Sequence, residues 1–324
     1  MHILGLDIGY SNLKLAYGAV GQIPKDLMIP SGAAPERSLP HGIRMAGEGI
    51  KVEVEGEPWC IGLPHGRFDQ SSRSLHENYS GSAAYKALFH GALRLTPTTR
   101  IDKLVTGLPV AQWQDVGFRQ QLVQRLQGQH TVAPEETVDI EKVEVIPQPL
   151  GAYLDRLWQA DADAKVLSEG RVLIVDPGFY SVDWIVIEAG ALRKSGSGSS
   201  LDAMSVLIRE AAMEIDREQK GQVSLSTIED ALRRNRREIF LYGRPLILTT
   251  YLETAARRVS FQALDALHES LRREQGSIDV VILAGGGAPL YQEAVRTAFG
   301  QSRIMMSEAP TCANARGFFY FGEM

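Results

Sequence analysis

The apolar positions of the chain change period repeatedly, and each change marks an element. Leu4-Gly5-Leu6-Asp7-Ile8 is an apolar run, Gly9-Tyr10-Ser11-Asn12 a polar turn and Leu13-Lys14-Leu15 the return, which predicts a β-hairpin with an acid at its apex. Residues 18–40 read as loop with one strand near Leu27-Met28-Ile29. Strict alternation over Ile50-Lys51-Val52-Glu53-Val54, a turn at Glu55-Gly56-Glu57-Pro58 and a return through Trp59-Cys60-Ile61-Gly62 predict a second hairpin, and 62–82 a loop. Ala84, Leu88, Ala92 and Leu93 fall at helical spacing, 103–109 is a buried strand stopped by Pro109, and 113–126 is one amphipathic helix with Trp113, Val116, Leu122, Val123 and Leu126 inward. A strand over 137–146 leads through Pro147-Gln148-Pro149-Leu150-Gly151 into a helix over 152–158, and the polar stretch 159–170 reads as a seam between lobes.

Beyond the seam the opening pattern returns. Residues 171–187 repeat apolar strand, Asp176-Pro177-Gly178, short polar turn and apolar strand, an internal echo of Asp7-Ile8-Gly9. A single Asp-x-Gly hairpin is an ordinary turn, whereas two, each opening one half of the chain, suggest duplicated domains facing each other across a cleft. A Gly/Ser turn at 195–200 precedes a helix carrying Leu201, Met204, Leu207, Ile208, Ala211, Ala212 and Ile215; a shorter helix over 226–237 opens on Ser226-Thr227-Ile228-Glu229, and a long one spans about 250–274. A buried strand at 279–284 runs into Gly285-Gly286-Gly287, a helix begins near Pro289, and 313–321 is the last apolar segment.

Length supports the two-lobe reading, because single cores rarely grow past about 250–300 residues and the chain has 324. Its 44 % hydrophobic and 23 % charged content is that of a globular protein, no apolar run nears a membrane span, and no secretory pattern opens it, so the expectation is a cytoplasmic protein with no membrane partner. Cys60 and Cys312 lie too far apart to suggest a disulfide framework or thiolate zinc, and read as buried thiols. A net charge of -5 gives no drive toward nucleic acid, and no direct contact with it is expected. The one basic cluster, Arg233-Arg234-Asn235-Arg236-Arg237, reads as a solvated helix face, with a polyanion or partner site as the alternative.

Three glycine-bearing turns therefore follow strands. If a nucleotide lies between the lobes, N–H groups of Gly9, Tyr10, Ser11 and Asn12 and those of the Gly178–Ser181 turn can face its phosphates, while Asp7 and Asp176 hold Mg²⁺ through its waters. Gly285-Gly286-Gly287, with Ala288 entering the helix, lets a base or ribose lie against backbone. Lys14 either reaches back to a phosphate or is a solvated lysine. No P-loop, no dinucleotide fingerprint after the first strand, no G-x-S-x-G and no H-E-x-x-H occur, and the seven histidines are scattered and take no catalytic role.

The order of these motifs resembles that of the actin, Hsp70 and sugar-kinase ATPases, and most of all the plasmid-segregation actins of the ParM/StbA type with their archaeal relatives. The resemblance spans nearly the whole chain and rests on 7–14, 145–152, 175–178, 284–288 and 313–317, with Trp59-Cys60-Ile61-Gly62 and Gly107-Leu108-Pro109 adding to it. It implies an α/β fold of two actin-like (ribonuclease H-like) lobes with mixed five-stranded sheets flanked by helices. The lobes are 1–160, with an insertion at about 19–80 and 313–324 packing back, and 161–312, with a small subdomain at about 195–244.

Gln148 matches the polar residue that positions the attacking water, which together with Asp7 and Asp176 makes the catalytic set; Gly151 and Gly317 match the crossing of two connecting helices, the expected hinge; and Asp183 matches the acid ending the second motif, with a structural role as the alternative. Phe179-Tyr180 stands where much of the superfamily has small residues, which puts more weight on Asp176 and Gly178 than on Ser181; base contacts fall near Glu214 or Lys220 by position alone. The implied activity is Mg-ATP hydrolysis, with GTP the alternative nucleotide, coupled to filaments of the protein with itself and to DNA segregation through an adaptor protein. Rivals are a non-polymerising small-molecule kinase, for which no acidic base stands out, and a nucleotide-gated binding module.

Overall fold

The first strand is buried on both faces along nearly its whole length, so it must lie inside a sheet covered on each side. The computed structural model describes residues 1–39, 49–67, 77–159, 162–272 and 274–324, in two units: Met1–Ala160 with Thr311–Met324, and Asp161–Pro310. In chain order the first unit runs β1 (His2–Ile8), β2 (Asn12–Ala19), β3 (Lys25–Pro30), β4 (Gly32–Pro35), β5 (Ile50–Val54), β6 (Glu57–Leu63), α1 (Ala83–Leu95), β7 (Arg100–Leu108), α2 (Val110–Gln114), α3 (Val116–Leu126), β8 (Gly128–Ala133), β9 (Glu136–Pro147) and α4 (Gln148–Trp158). The second holds α5 (Ala164–Glu169), β10 (Arg171–Pro177), β11 (Val182–Glu188), β12 (Ala191–Ser200), α6 (Met204–Gln219), α7 (Leu225–Arg233), β13 (Glu238–Leu241), β14 (Arg244–Ile247), α8 (Leu248–Leu271), β15 (Val280–Leu283), α9 (Ala288–Ala298) and β16 (Arg303–Met306). The C-terminal α10 (Ala313–Glu323) belongs to the first unit.

Among the described residues the first unit builds a six-stranded sheet, β3-β2-β1-β7-β9-β8, with a separate three-stranded sheet β4-β6-β5. Alternation along β1 sends Leu4 and Leu6 into a core with Leu88 and Leu93 of α1, and Ile3 to the other face against Phe319 of α10. Gly5 is the reason α10 can lie so close: a Cβ there would overlap the Ala315 carbonyl. The second unit builds a five-stranded sheet, β12-β11-β10-β15-β16, with β10, β15 and β16 parallel and β10, β11 and β12 antiparallel. Its core joins Leu173, Val175 and Trp184 of the sheet to Leu207 of α6, Ala263 of α8 and Tyr291 of α9. A two-stranded ribbon, β13-β14, stands apart from that sheet.

Several local expectations change. The first sheet has six strands rather than five, because both Lys25–Pro30 and Gly128–Ala133 join its edges. The helix expected over 113–126 breaks at Asp115, whose carboxylate caps α3 through the Gly117 and Phe118 N–H groups; Val116 consequently sits at the start of a new helix and is 53 % exposed rather than inward. The Gly/Ser stretch 195–200 is strand β12, not a turn. Gly196 and Gly198 are there to admit β11: a Cβ at either would crowd Val186 or the Trp184 ring. The cap of α7 is Ser224, which accepts from the Thr227 N–H, two residues before the expected Ser226. The loop expected over 62–82 falls partly outside the described residues and elsewhere holds 3-10 turns at His65–Arg67 and Glu77–Gly81. Cys60 is buried and Cys312 partly so, its thiol pushed up chiefly by burial. Among the described residues no helix is long and apolar enough to cross a membrane.

One buried histidine makes this fold sensitive to acid. His90 of α1 is 3 % exposed, its Nδ1 donates to the Glu53 carbonyl at 2.5 Å, and its Nε2 has no hydrogen-bond partner. Burial above all, with His130 and Lys86 adding to it against the Glu53 bond, lowers its pKa to about 4. The folded value lies below the unfolded one, near 6.5, so the contribution is complete above pH ~6.5 and is lost as pH falls toward ~4. Denaturant unfolding should show a loss of roughly 2 kcal/mol over that window, and His90→Leu should flatten much of the slope; an unchanged slope in the variant would contradict the assignment.

Candidate functional site

Antiparallel pairing of β1 with β2 sets Asp7 opposite Lys14. The ammonium meets Asp7 Oδ2 at 2.9 Å, with the Lys14 side chain 14 % exposed and that of Asp7 3 %, so Lys14 is an enclosed counter-charge rather than a solvated lysine. Gly9 makes the room: a Cβ there would stand 3.2 Å from Lys14 Nζ and from the Asn12 carbonyl. The other Asp7 oxygen, Oδ1, accepts from Gln148 Nε2 at 3.1 Å. Gln148 is the first residue of α4, preceded by Pro147 and followed by Pro149, the type of residue suited to a first turn because its missing N–H has no helical partner to lose. Gly107 at the end of β7 clears its place, since a Cβ would crowd the Gln148 Cγ and the Phe318 ring. Asp7, Lys14 and Gln148 thus meet in the first unit, over a turn closed by the Gly9 N–H donating to the Asn12 carbonyl at 3.1 Å.

The outer side of that turn is also tied. The Ser31 N–H donates to the Ser11 carbonyl at 3.0 Å, His65 Nε2 lies 3.0 Å from the Tyr10 carbonyl, and the Tyr10 ring stacks on Tyr79 with centroids 4.3 Å apart. His65 escapes sequence reading because it acts across the fold on a residue distant in the chain, whereas Gly107 is singled out in the sequence but not for its place beside Gln148.

In the second unit the pairing of β10 with β11 sets Asp176 opposite Asp183. The Gly178 N–H donates to the Ser181 carbonyl at 2.8 Å, repeating the closure of the first turn. Asp183 accepts from the Ser181 hydroxyl at 2.5 Å and from the Ser199 hydroxyl, and is 2 % exposed. The carbonyls of Gly178 and Phe179 accept from the Met204 and Ser205 N–H groups at 3.2 and 2.9 Å, so this turn caps an α6 that has no side-chain cap of its own. The glycine triplet packs directly on the same turn. Gly285 has φ +79°, the Gly287 N–H donates to the Pro177 carbonyl at 2.9 Å, and a Cβ on Gly285 would overlap Asp176 Oδ1; around Gly286 the space is open. Ala288, buried, opens α9.

Other expected residues are placed elsewhere. Glu214 of α6 pairs with Arg217 and, with Glu210, Tyr251, Arg257 and Arg258, lines a cavity of about 460 Å³ between α6 and α8. Lys220 is the left-handed residue ending α6, its carbonyl accepting from Tyr242 Oη. In the basic cluster, Arg233 and Arg234 are paired with Glu229 and Asp230, while Arg236 and Arg237 are exposed. Gly151 and Gly317 meet backbone to backbone, a Cβ on Gly317 overlapping the Gly151 carbonyl.

Among the described residues no group of three or more His, Cys, Asp or Glu side chains could hold a metal directly. Both Asp7 oxygens are already engaged, so a Mg²⁺ would meet Asp7 through its own waters, the usual habit of this ion beside a phosphate. In this arrangement Asp7 can orient Gln148 and fix Lys14, while peptide N–H groups and the ammonium can take negative charge.

The fit of Gly285 to Asp176 gives a direct test: Gly285→Ala combines a left-handed backbone with an overlap and should destabilise the second unit by about 2 kcal/mol or more, read by denaturant unfolding. Comparison with known proteins agrees with the fold. The family of actin-like proteins, N-terminal domain, matches residues 5–151, and that of the archaeal actin homologue MreB-like, C-terminal, matches 174–297. No curated protein matches. Among solved structures, a non-polymerisable quadruple mutant of pCBH ParM is 19 % identical with a TM-score of 0.78, covering 99 % of each chain. The archaeal actin homologue Ta0583 in complex with ADP is 19 % identical at 0.75, over 100 % of this chain and 99 % of that one. A 15-stranded ParM filament from Clostridium botulinum contributes a chain 18 % identical at 0.73, over 99 % of each. Two actin-family domains in succession, on a fold shared end to end with ParM and an archaeal actin, place this chain among the actin-like proteins.

Proposed function

We propose that the protein is an actin-like ATPase that binds Mg-ATP through its two Asp-bearing turns, polymerises in response and depolymerises on hydrolysis, serving DNA segregation through an adaptor protein. The observation that carries this reading is the trio of buried Asp7 and half-buried Lys14 and Gln148 on a glycine turn whose closure recurs at Asp176–Ser181. Phosphoryl transfer to water passes through a loose transition state that asks for positioning and charge neutralisation more than for a strong base. An amide suits that task, and Asp7 holds it in place by accepting from its Nε2. Lys14 stands ready as the cation, Asp176 is the second carboxylate for the hydrated metal, and the Gly285–Ala288 turn takes the nucleoside. Mg²⁺, when bound, neutralises phosphate charge. Relatives of this fold form filaments and bind ADP, which supports self-association and a nucleotide ligand; GTP is the alternative to ATP.

Growth without closure needs head-to-tail contacts between unlike faces, and closure of the nucleotide site on ATP would set which face is offered. Sedimentation with ATP, ADP and a non-hydrolysable analogue should give polymer that depends on the nucleotide and persists with the analogue; monomer under every condition would refute the proposal. Gln148→Ala should retain nucleotide yet release phosphate about a hundredfold more slowly, measured as phosphate release from preloaded protein, and wild-type turnover would remove Gln148 from the mechanism.

A further inference from the structure

We propose that His65 is a positioning residue for the first phosphate turn: by donating from Nε2 to the Tyr10 carbonyl it fixes the Tyr10–Ser11 peptide so that the Ser11 N–H is presented to the nucleotide. The inference rests on the nucleotide reading above and names the group that orders one half of that site.

A carbonyl oxygen only accepts, so the 3.0 Å contact with Tyr10 requires the proton on Nε2, which settles the tautomer otherwise left open. Ser31 Oγ lies 3.3 Å from the same nitrogen as a second, longer acceptor. In a trans peptide the C=O and the following N–H point in opposite directions, so holding the Tyr10 oxygen on the His65 side turns the Ser11 N–H to the other side. The next peptide is treated alike, the Ser11 carbonyl being held by the Ser31 N–H at 3.0 Å. Two successive peptides of one turn thus have their oxygens drawn to the flanking segment, the condition under which successive N–H groups form an anion-binding concavity.

The second unit reaches the same end with backbone alone, since the Gly178 and Phe179 oxygens are held by the first N–H groups of α6. Among the described residues no helix begins behind the first turn. A 3-10 turn at His65–Arg67 stands there instead, and an imidazole supplies the missing donor. The Tyr10–Tyr79 stack holds the ring, whereas the hydrogen bond acts on the peptide oxygen itself.

The test compares His65→Ala, which removes the donor, with His65→Gln, whose amide nitrogen reaches the position of Nε2. Binding of a fluorescent ATP analogue with Mg²⁺ should weaken about tenfold in His65→Ala, the effect of one lost hydrogen bond, and return to within about threefold of wild type in His65→Gln. Unchanged binding in His65→Ala, or equal loss in both variants, overturns the proposal. The His65 ring reads the same claim in nucleotide-free protein: ring nitrogen NMR with the proton on Nε2 supports it, and a proton on Nδ1 alone refutes it. Failure of wild type to bind nucleotide would strike the functional reading alone.

Discussion

The contact on which the first unit depends is that between α10 and α4. Gly317 lies against the Gly151 carbonyl with no room for a methyl group, and Gly5 admits the α10 backbone to β1 in the same way. An ion pair locks this approach. Arg316 donates through Nε and Nη2 to the two Asp155 oxygens at 2.8 and 2.7 Å, with Asp155 1 % exposed, and Gln159 adds a bond at 2.9 Å. Two charges buried together gain little net stability, but a bidentate fork has one geometry, so the pair fixes the register of the two helices. Since Gln148 heads α4, that register also decides where its amide meets Asp7.

The two units solve one problem with different parts. Each runs an apolar strand into Asp-x-Gly, closes the turn with a glycine N–H on a carbonyl three residues on, and ties the turn's own oxygens to what lies behind it. In the second unit the tie is the start of α6, which joins the turn mechanically to a 16-residue helix; in the first it is a side chain and a strand end.

Much of this was legible in the chain. Period-two alternation and helical spacing marked β1, β2, β10, β11, α1, α6 and α8, and the echo of Asp7 at Asp176 brought the turns into view. What stayed hidden depends on contacts distant in sequence. Residues 195–200 of β12 are all Gly or Ser, and Gly196 and Gly198 leave the space that Val186 and Trp184 need, a cross-strand reason that leaves no alternation to read. β8, β16 and the β13-β14 ribbon are edge or outlying pieces of four to six residues, too short to show a period. Asp115 looked like a helix residue and acts as a cap, a choice made by its own side chain. Lys14 could not be told from a surface lysine until the register set it beside Asp7, and His65 acquires a partner only when the fold carries it 55 positions back to Tyr10.

That register has a last consequence. The residue opposite the turn's aspartate is Lys14 in one unit and Asp183 in the other, so the duplicated hairpins have become electrically unlike. The first is a closed dipole, its carboxylate already answered by an ammonium. The second sets acid across from acid, relieved on the Asp183 side by serine hydroxyls that carry no charge. Exchanging Lys14 for the acid of its counterpart would therefore make the two hairpins alike, each setting acid across from acid, and would leave Gln148 bonded to a carboxylate that had lost its counter-charge.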